Sequence, residues 1–379
     1  MERLADVCDS AFQEDVRSAD DGTLIIMEQT RQQAAPTERE LITGVDRRLR
    51  SLLPSAWSIR SDRSQPDDDL VLTIIAPDGR SARLLVEAKS LVDARNVPSL
   101  VERFARADDS SGVVVARYLS PRTRAALEEA GLSYADATGN VRLVIDEPGL
   151  AVVATGADRD PFRGPERPTN SFRGAPASRV ARALVDRRPP WRMRELAEYS
   201  GTSLGSTARM IDFLDREALV RRDAAGSVED ADWSGILRRW ADDYDLTKRR
   251  SVTRALVPRG VDAIAEGLRD TSTSYAVSGS LAARRVAPEA QARLGLVYAQ
   301  DTDAVLAALR ARASSGATNL LVIEPADDTP FMRSFNDEGV RYVAYSQAAV
   351  DLLAGPGRMP QEGDALLEWM AANEDRWRE

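Results

Sequence analysis

Histidine is absent from this chain of 379 residues, and cysteine occurs once, as Cys8. The lack of histidine excludes Ser-His-Asp hydrolysis, histidine general-base mechanisms and nearly all zinc sites. The single cysteine excludes an intramolecular disulfide and a cysteine-based zinc site. Any catalysis would therefore depend on carboxylates, lysine, hydroxyls and a hard cation such as Mg²⁺.

Long apolar runs are also lacking. No segment approaches the length needed to cross a bilayer, and the first residues do not place a basic region before a hydrophobic one. We therefore expect a cytoplasmic protein without a membrane partner. An apolar content of 43% and a charged content of 29% are typical of globular proteins. The length predicts two or three domains.

A net basic charge is lacking too, since the formal charge is −9 at pH 7. This balance argues against nonspecific nucleic-acid binding by the whole surface. Between residues 173 and 226, however, eleven arginines stand against seven acidic residues, which leaves a local charge of +4. A basic module inside an acidic chain is typical of a nucleic-acid footprint confined to one face.

The same window predicts a helix-turn-helix followed by a hairpin. A short helix from Arg194 to Tyr199 ends at Ser200-Gly201, and Ser203 can cap a second helix. The apolar spacing of that helix predicts one buried stripe, formed by Leu204, Ala208, Ile211 and Leu214. Its opposite face would carry Gly205, Ser206, Arg209 and Arg216. With Leu219-Val220-Arg221-Arg222 and a glycine-containing turn, the pattern is similar to a winged helix.

We therefore expect a sequence-specific DNA-binding transcriptional regulator, acting as a repressor and a homodimer on double-stranded DNA. The predicted contacts to phosphates or base edges are Arg192, Arg194, Ser203, Ser206, Thr207, Arg209, Arg221 and Arg222. Arg209 is best placed for guanine, because a guanidinium presents paired donors to O6 and N7. A helical hairpin with surface arginines is the alternative, and a buried or salt-bridged Arg194 is as well supported as a DNA contact.

The rest of the chain divides around this module. Residues 1–35 are expected to be an N-terminal arm, or an edge element that pairs with another part. Residues 36–154 are expected to be an α/β sandwich, and 155–175 a linker rich in Pro, Gly and charge. The winged helix-turn-helix would occupy 176–232. A C-terminal α/β domain, entered by a connecting helix, would occupy 233–379. The expected fold class is α/β multidomain.

Acidic residues and a lysine mark two neighbouring strands of the predicted N-terminal sandwich. Asp69 begins one strand, and Glu87-Ala88-Lys89 ends the next. With the lead-in Pro66-Asp67-Asp68-Asp69, this arrangement resembles the PD-(D/E)xK restriction-endonuclease-like fold. The resemblance implies that Asp69 and Glu87 bind Mg²⁺ and that Lys89 orients or activates the attacking water.

The alternative function is therefore a Mg²⁺-dependent DNA nuclease, with Asp69, Glu87 and Lys89 as catalytic residues and the winged helix as its targeting device. No cofactor is expected otherwise. Glu-x-Lys also occurs by chance in many strands. The acidic run at 67–69 could instead be a solvated loop. In regulatory proteins that contain a domain of this fold, that domain often serves as a binding or dimerising platform.

In the C-terminal domain, Gly279-Ser280 follows a predicted strand and resembles the phosphate-cradling turn of the nucleotidyltransferase fold. The next strand, residues 294–299, lacks the Asp-x-Asp pair that would bind metal there. Asp301 and Asp303 come only after that strand. We therefore expect a degenerate relative of that fold, used for packing or partner binding.

The order of the winged helix, residues 275–283 and residues 343–358 resembles the AbiEi-type antitoxin and transcriptional-regulator family. The resemblance covers roughly residues 179–377. It implies that the winged helix binds operator DNA and represses its own operon. It also implies a nucleotidyltransferase-like toxin as a protein partner. The additional N-terminal α/β domain departs from that family, so a free-standing regulator fits equally well.

Overall fold

The computed structural model describes residues 36–62, 70–106, 111–158, 160–162, 171–244, 246, 252–269, 271–288 and 291–379. These residues form a mixed α/β protein with 13 helices, two seven-stranded sheets and one two-stranded hairpin. The predicted arm at 1–35 and the predicted catalytic residue Asp69 lie outside the described residues.

The N-terminal unit is a sheet covered by helices on both faces. Its elements are α1 (Glu38–Leu52), β1 (Ser58–Asp62), β2 (Leu70–Ile75), β3 (Ser81–Lys89), α2 (Val97–Ala105), β4 (Ser111–Ala116), α3 (Pro121–Glu129), β5 (Ser133–Asp136), β6 (Val141–Ile145) and β7 (Leu150–Ala154). The strands lie in chain order. β3, β4 and β5 are parallel, and the other neighbours are antiparallel.

Local signals position the N-terminal elements. Thr37 and Glu40 form a capping box at the start of α1. Gly79 turns the β2–β3 hairpin with φ 86°, a conformation that glycine adopts without strain. Ser120 accepts the amide of Thr123 and begins α3. Separate apolar cores lie on the two faces of the sheet.

The middle of the chain forms a module of four helices and a hairpin. Its elements are α4 (Ala175–Asp186), α5 (Met193–Ser200), α6 (Leu204–Arg216), β8 (Val220–Arg222), β9 (Val228–Ala231) and α7 (Trp233–Asp243). Trp191 pairs antiparallel with Val228, which adds a short third strand to the hairpin. α4 begins at Ala175, inside the range predicted as linker.

The C-terminal unit is a second mixed sheet. Its elements are β10 (Val252–Leu256), α8 (Ala263–Leu268), β11 (Tyr275–Ser278), α9 (Ser280–Ala283), β12 (Gly295–Ala299), α10 (Thr302–Ala308), β13 (Arg312–Ala313), β14 (Leu320–Ile323), β15 (Phe335–Asp337), β16 (Val340–Tyr342), α11 (Tyr345–Leu353), α12 (Met359–Ala372) and α13 (Glu374–Trp377). The strand order is β13-β10-β14-β12-β11-β16-β15. α10 ends at Ala308, and residues 312–313 pair with β10.

The module and the C-terminal unit share one apolar core, which runs from Phe172 to Met370 without interruption. Arg182 of α4 lies in the seam between them and has no solvent exposure. Its Nε donates to Asp186 Oδ2 at 2.9 Å, and its Nη1 and Nη2 donate to the carbonyls of Thr329 and Met332 at 3.1 and 2.9 Å. Arg182, counted above as part of the local basic charge, is therefore a structural cation.

Arg182→Met should lower the free energy of unfolding by about 3–5 kcal/mol, because Asp186 would remain buried without its cation. The double variant Arg182→Met, Asp186→Leu should recover most of that loss, since no charge remains to be desolvated. Arg179→Ala removes the partly exposed pair with Asp328 and should cost less than about 1 kcal/mol. Denaturant unfolding of the three variants measures these differences. Equal losses in the single and double variants would contradict the assignment.

Candidate nucleic-acid interface

Helices α5 and α6 form a tight helix-turn-helix. α5 ends at Gly201, which adopts the left-handed conformation with φ 62°. Ser203 follows in an extended conformation, and its hydroxyl accepts the amide of Ser206 at 3.2 Å. The predicted turn and N-cap are confirmed. α6 therefore begins directly after a sharp turn, with its first residues at the surface.

The buried face of α6 differs from the predicted stripe. Ile211 and Leu214 are buried as predicted, but Leu204 is 46% exposed. The remaining core positions are Thr207, Met210 and Phe213. The prediction failed because it followed apolar residues only, whereas the helix buries a threonine in its first turns.

Thr207 was predicted to contact DNA, and the structure corrects that prediction. The residue has no solvent exposure. Its hydroxyl lies 3.1 Å from the carbonyl oxygen of Ser203 and 2.7 Å from the hydroxyl of Thr202. Both bonds stay within the turn between α5 and α6. Thr207 therefore stabilises the turn and does not reach the surface of the helix.

The exposed start of α6 brings together three of the predicted contacts. Arg209 is exposed, and its Nη2 donates to Ser206 Oγ at 3.1 Å. Ser206 Oγ also accepts from Ser203 Oγ at 2.9 Å. Leu204, which was not predicted as a contact, adds an exposed apolar side chain beside Ser203. The surface therefore combines one guanidinium, two hydroxyls and one apolar group.

Two further predicted contacts lie at the start of α5. Arg192 is the N-cap residue of that helix, and Arg194 follows two positions later. Both side chains are exposed. Within the described part of the chain, no ion pair is found for either residue or for Arg209. The exposure of Arg194 contradicts its buried alternative. The choice between an ion pair and a DNA contact for Arg194 stays a prediction.

The two arginines of the hairpin are instead engaged by acidic side chains. Arg221 pairs with Glu229 on the neighbouring strand. Arg222 Nη2 lies 2.8 Å from Asp212 Oδ1 and 3.0 Å from Asp215 Oδ2, both on α6. A phosphate could reach these guanidinium groups only by exchanging with the carboxylates.

The N-terminal unit contacts the opposite end of α6. Arg95, in a short 3₁₀ turn, places Nη1 2.6 Å from Asp215 Oδ2, the same oxygen that Arg222 contacts. Burial raises the pKa of the neighbouring Asp93 carboxyl. Arg122 Nε donates to the carbonyl of Glu217 at 3.3 Å. The end of α6 is thus covered, while its start remains exposed. Arg95 and Asp215 are 120 residues apart in the chain, so no local pattern could have indicated this contact.

A polar cleft of about 760 Å³ lies between the N-terminal unit and α7. Its lining includes Arg238 and Arg239, which pair with Asp364 at 2.6 Å and Asp243 at 3.1 Å. Burial raises the pKa of Glu217, another lining residue, and Arg239 opposes that shift. The cleft therefore carries charges of both signs that already neutralise one another.

The predicted nuclease site has no open carboxylate among the described residues. Glu87 is 7% exposed. Its Oε1 lies 2.9 Å from Lys89 Nζ, and its Oε2 lies 2.7 Å from Arg103 Nε. Because both oxygens face cations, Glu87 would have to release Arg103 to bind a metal ion. Across the described ranges, no group of three or more acidic residues or Cys is placed to hold a metal ion.

The turn at Gly279-Ser280 is closed. Ser280 is 5% exposed, and a Cβ at Gly279 would lie 3.5 Å from both Leu296 and Met359. Asp301 accepts the amide of Ala304 at 2.9 Å and caps α10. Ser280 is therefore largely inaccessible to a phosphate, and Asp301 has a local structural role.

Next to this turn, a carboxyl group is fully buried without a cation. Asp351 accepts hydrogen bonds from Ser278 at 2.5 Å, Tyr298 at 2.7 Å and Gln347 at 3.0 Å. Burial raises its pKa from 3.8 to about 6, and the hydrogen bonds oppose that shift. Burial also raises the pKa of Tyr298 well above its ordinary value. Gln347 also accepts from Arg182, so this network continues to the seam.

Comparison of the chain with protein-family models, curated proteins and solved structures found no match. Among the described residues, no helix has the length and apolar character to span a membrane.

Asp351→Asn should change the pH dependence of stability. Because the folded pKa lies above the unfolded one, the acid form stabilises the fold fully below pH 4, and this contribution is lost as pH rises through 6. A rise of the Asp351 pKa from 3.8 to about 6 corresponds to about 3 kcal/mol of stability. The free energy of unfolding of Asp351→Asn, relative to the wild type, should therefore rise between pH 4 and 8. Parallel denaturation profiles over that range would contradict the prediction.

Proposed function

We propose that this protein is a sequence-specific, duplex-DNA-binding transcriptional regulator whose reading element is a winged helix. The observation that carries the proposal is the order of the module: helix, short strand, helix, tight turn, helix and two-stranded hairpin. In winged helices, the third helix of this order enters the major groove. Here that helix is α6, and its first turns are exposed.

The chemistry of the exposed surface supports this proposal. Arg209 can present two donors to guanine, and Leu204 can contact the methyl group of thymine. Ser203 and Ser206 can donate to phosphates or bases, and their amides lie at the positive end of the helix dipole. Arg192 can contact phosphate without first leaving an acidic partner. Specific and backbone contacts are thus available on one surface.

The N-terminal unit supports a platform role in this proposal. Its order of α1, a three-stranded antiparallel meander, α2 and a parallel fourth strand agrees with the core of the restriction-endonuclease-like fold. Through Arg95 it contacts the C-terminal end of α6. The exposed start of α6, which we call the reading surface, lies at the other end. Repression, a homodimeric state, the degenerate nucleotidyltransferase fold and a toxin as partner remain part of the same proposal.

Arg209→Ala should weaken binding to a specific duplex by about 1–3 kcal/mol, if the guanidinium makes a bidentate base contact. Binding to nonspecific duplex should change little. Selection from a random duplex library, followed by anisotropy titration at several salt concentrations, measures both effects. Arg254→Ala is the matched control, because Arg254 is an exposed arginine on β10 of the C-terminal sheet, outside the helix-turn-helix.

Thr207→Val, in the same titration, distinguishes a loss of stability from the loss of a DNA contact. Loss of its buried hydroxyl should lower the free energy of unfolding while the affinity of the folded fraction stays near that of wild type. A wild-type protein that selects no duplex at low salt would overturn the proposed function.

The second candidate function is a Mg²⁺-dependent nuclease, favoured by the meander topology and by Lys89 at the end of β3. The double pairing of Glu87 argues against it. We expect bound duplex to remain intact in Mg²⁺ or Mn²⁺ over hours, as followed on denaturing gels. Cleavage by wild type that disappears in Glu87→Gln, with DNA affinity unchanged, would establish the nuclease instead.

A further inference from the structure

Strand β7 forms one edge of the N-terminal sheet and is unusual among the sheet edges of this protein. Its sequence is Leu150-Ala151-Val152-Val153-Ala154, with no charge, proline or bulge. Val153 is 73% exposed. Among the described strands, β6 is its only bonded neighbour. Unprotected apolar edges of this kind readily pair with another strand.

The other three edges of the two seven-stranded sheets carry features that discourage pairing. β1, at the opposite edge of the same sheet, contains the exposed Arg60. In the second sheet, β13 has two residues including Arg312, and β15 has three including Asp337. Short strands and charged side chains are common protections of an exposed edge. Only β7 among these edges is both long and uncharged.

We propose that β7 pairs antiparallel with β7 of a second copy of this chain, which joins two N-terminal sheets into one. Antiparallel pairing of identical strands has two-fold symmetry, so each copy presents the same surface. An axis at Val152 places Leu150 opposite Ala154 and Ala151 opposite Val153.

The side chains suit this pairing on both faces. Val152 belongs to a buried core cluster of the N-terminal unit, and Leu150 and Ala154 are half-buried against it. In the proposed register these three residues meet their copies on the same face, which makes the two cores continuous. On the other face, the exposed Val153 lies against Ala151 of the second copy. A β-branched side chain beside a small one fits the spacing of cross-strand pairs.

The length of β7 determines how tightly the two copies are expected to bind. Five residues span about 17 Å, so strand pairing alone buries less surface than a stable dimer usually has. The dimer should therefore dissociate in the micromolar range. This pairing uses a surface other than the start of α6, so it does not depend on DNA binding.

Sedimentation of the full chain over a range of concentrations, without DNA, tests the proposal. The wild type should dimerise, and Val153→Lys should raise the dimer dissociation constant at least about tenfold, because two ammonium groups would lie near the axis. Ser61→Lys is the matched control: it adds the same charge to β1, at an exposed position of the opposite edge, and should leave dimerisation unchanged. A wild type that is still monomeric at ~100 µM, or equal effects of Val153→Lys and Ser61→Lys, would overturn the proposal.

Cysteine pairing tests the register. In a Cys8→Ser background, a mixture of Ala151→Cys and Val153→Cys chains should form disulfide-linked dimers, whereas neither chain alone should do so. Crosslinking of each chain with itself would contradict the two-fold axis at Val152. Hydrogen exchange of the β7 amides that point away from β6 should slow as concentration rises. If these outward amides are already protected in a dilute, monomeric sample, the edge is covered from within the chain and the proposal is wrong.

Discussion

The buried guanidinium of Arg182 is the interaction on which the arrangement of the module depends. It lies on α4 but contacts two carbonyl groups of the C-terminal unit as well as Asp186. Ser346 of α11 donates to the other oxygen of Asp186. A buried ion pair contributes little net stability, but it tolerates few alternative geometries because every donor must be satisfied. The side chains of this pair therefore join α4 to the C-terminal unit through four hydrogen bonds.

That geometry has a consequence for α6. α4, α5 and α6 share one core with the C-terminal unit, while Arg95 connects the far end of α6 to the N-terminal unit. The start of α6 lies at a surface that neither unit covers. Any ligand of α6 must approach from that side. The two α/β units therefore orient the reading surface in this proposal.

Much of the fold could be predicted because its signals are local. Thr37, Ser120 and Ser203 cap their helices, and Gly201 ends α5, because each satisfies neighbouring backbone groups. The long-range contacts could not be predicted in this way. Asp215 meets Arg95 across 120 residues, and no period in the sequence records that proximity.

The position of the candidate site could be predicted, but two of its residues were assigned to the wrong side of α6. Ser203, Ser206 and Arg209 lie together at the surface, as their helical spacing indicated. Thr207 was assigned to the wrong face, because a buried threonine that bonds within its own turn has the same sequence signature as an exposed one. Leu204 was assigned to the core because it is apolar, although the first turn of α6 extends beyond the core.

Charge was the least predictable property, because ion pairs join distant parts of the chain. Of the arginines counted in the basic window, Arg179 pairs with Asp328 and Arg188 with Asp375, both outside it. The local charge of +4 therefore overstates the cations that a ligand would meet. The chain has 51 basic residues but only two lysines, Lys89 and Lys248. Its cations are thus mostly guanidinium groups, which hold a planar carboxylate through paired donors.

These pairs determine how the hairpin could contribute to binding. Arg221 is 65% exposed in its side chain, so its pair with Glu229 is worth at most about 1 kcal/mol. A phosphate can replace that carboxylate at little cost. Arg222 is less exposed and contacts two carboxylates, one of which also receives Arg95. Arg222 of the hairpin and Arg95 of the N-terminal unit therefore share the Asp215 carboxylate. A ligand of Arg222 would have to displace two carboxylates, whereas a ligand of Arg221 would displace an exposed one.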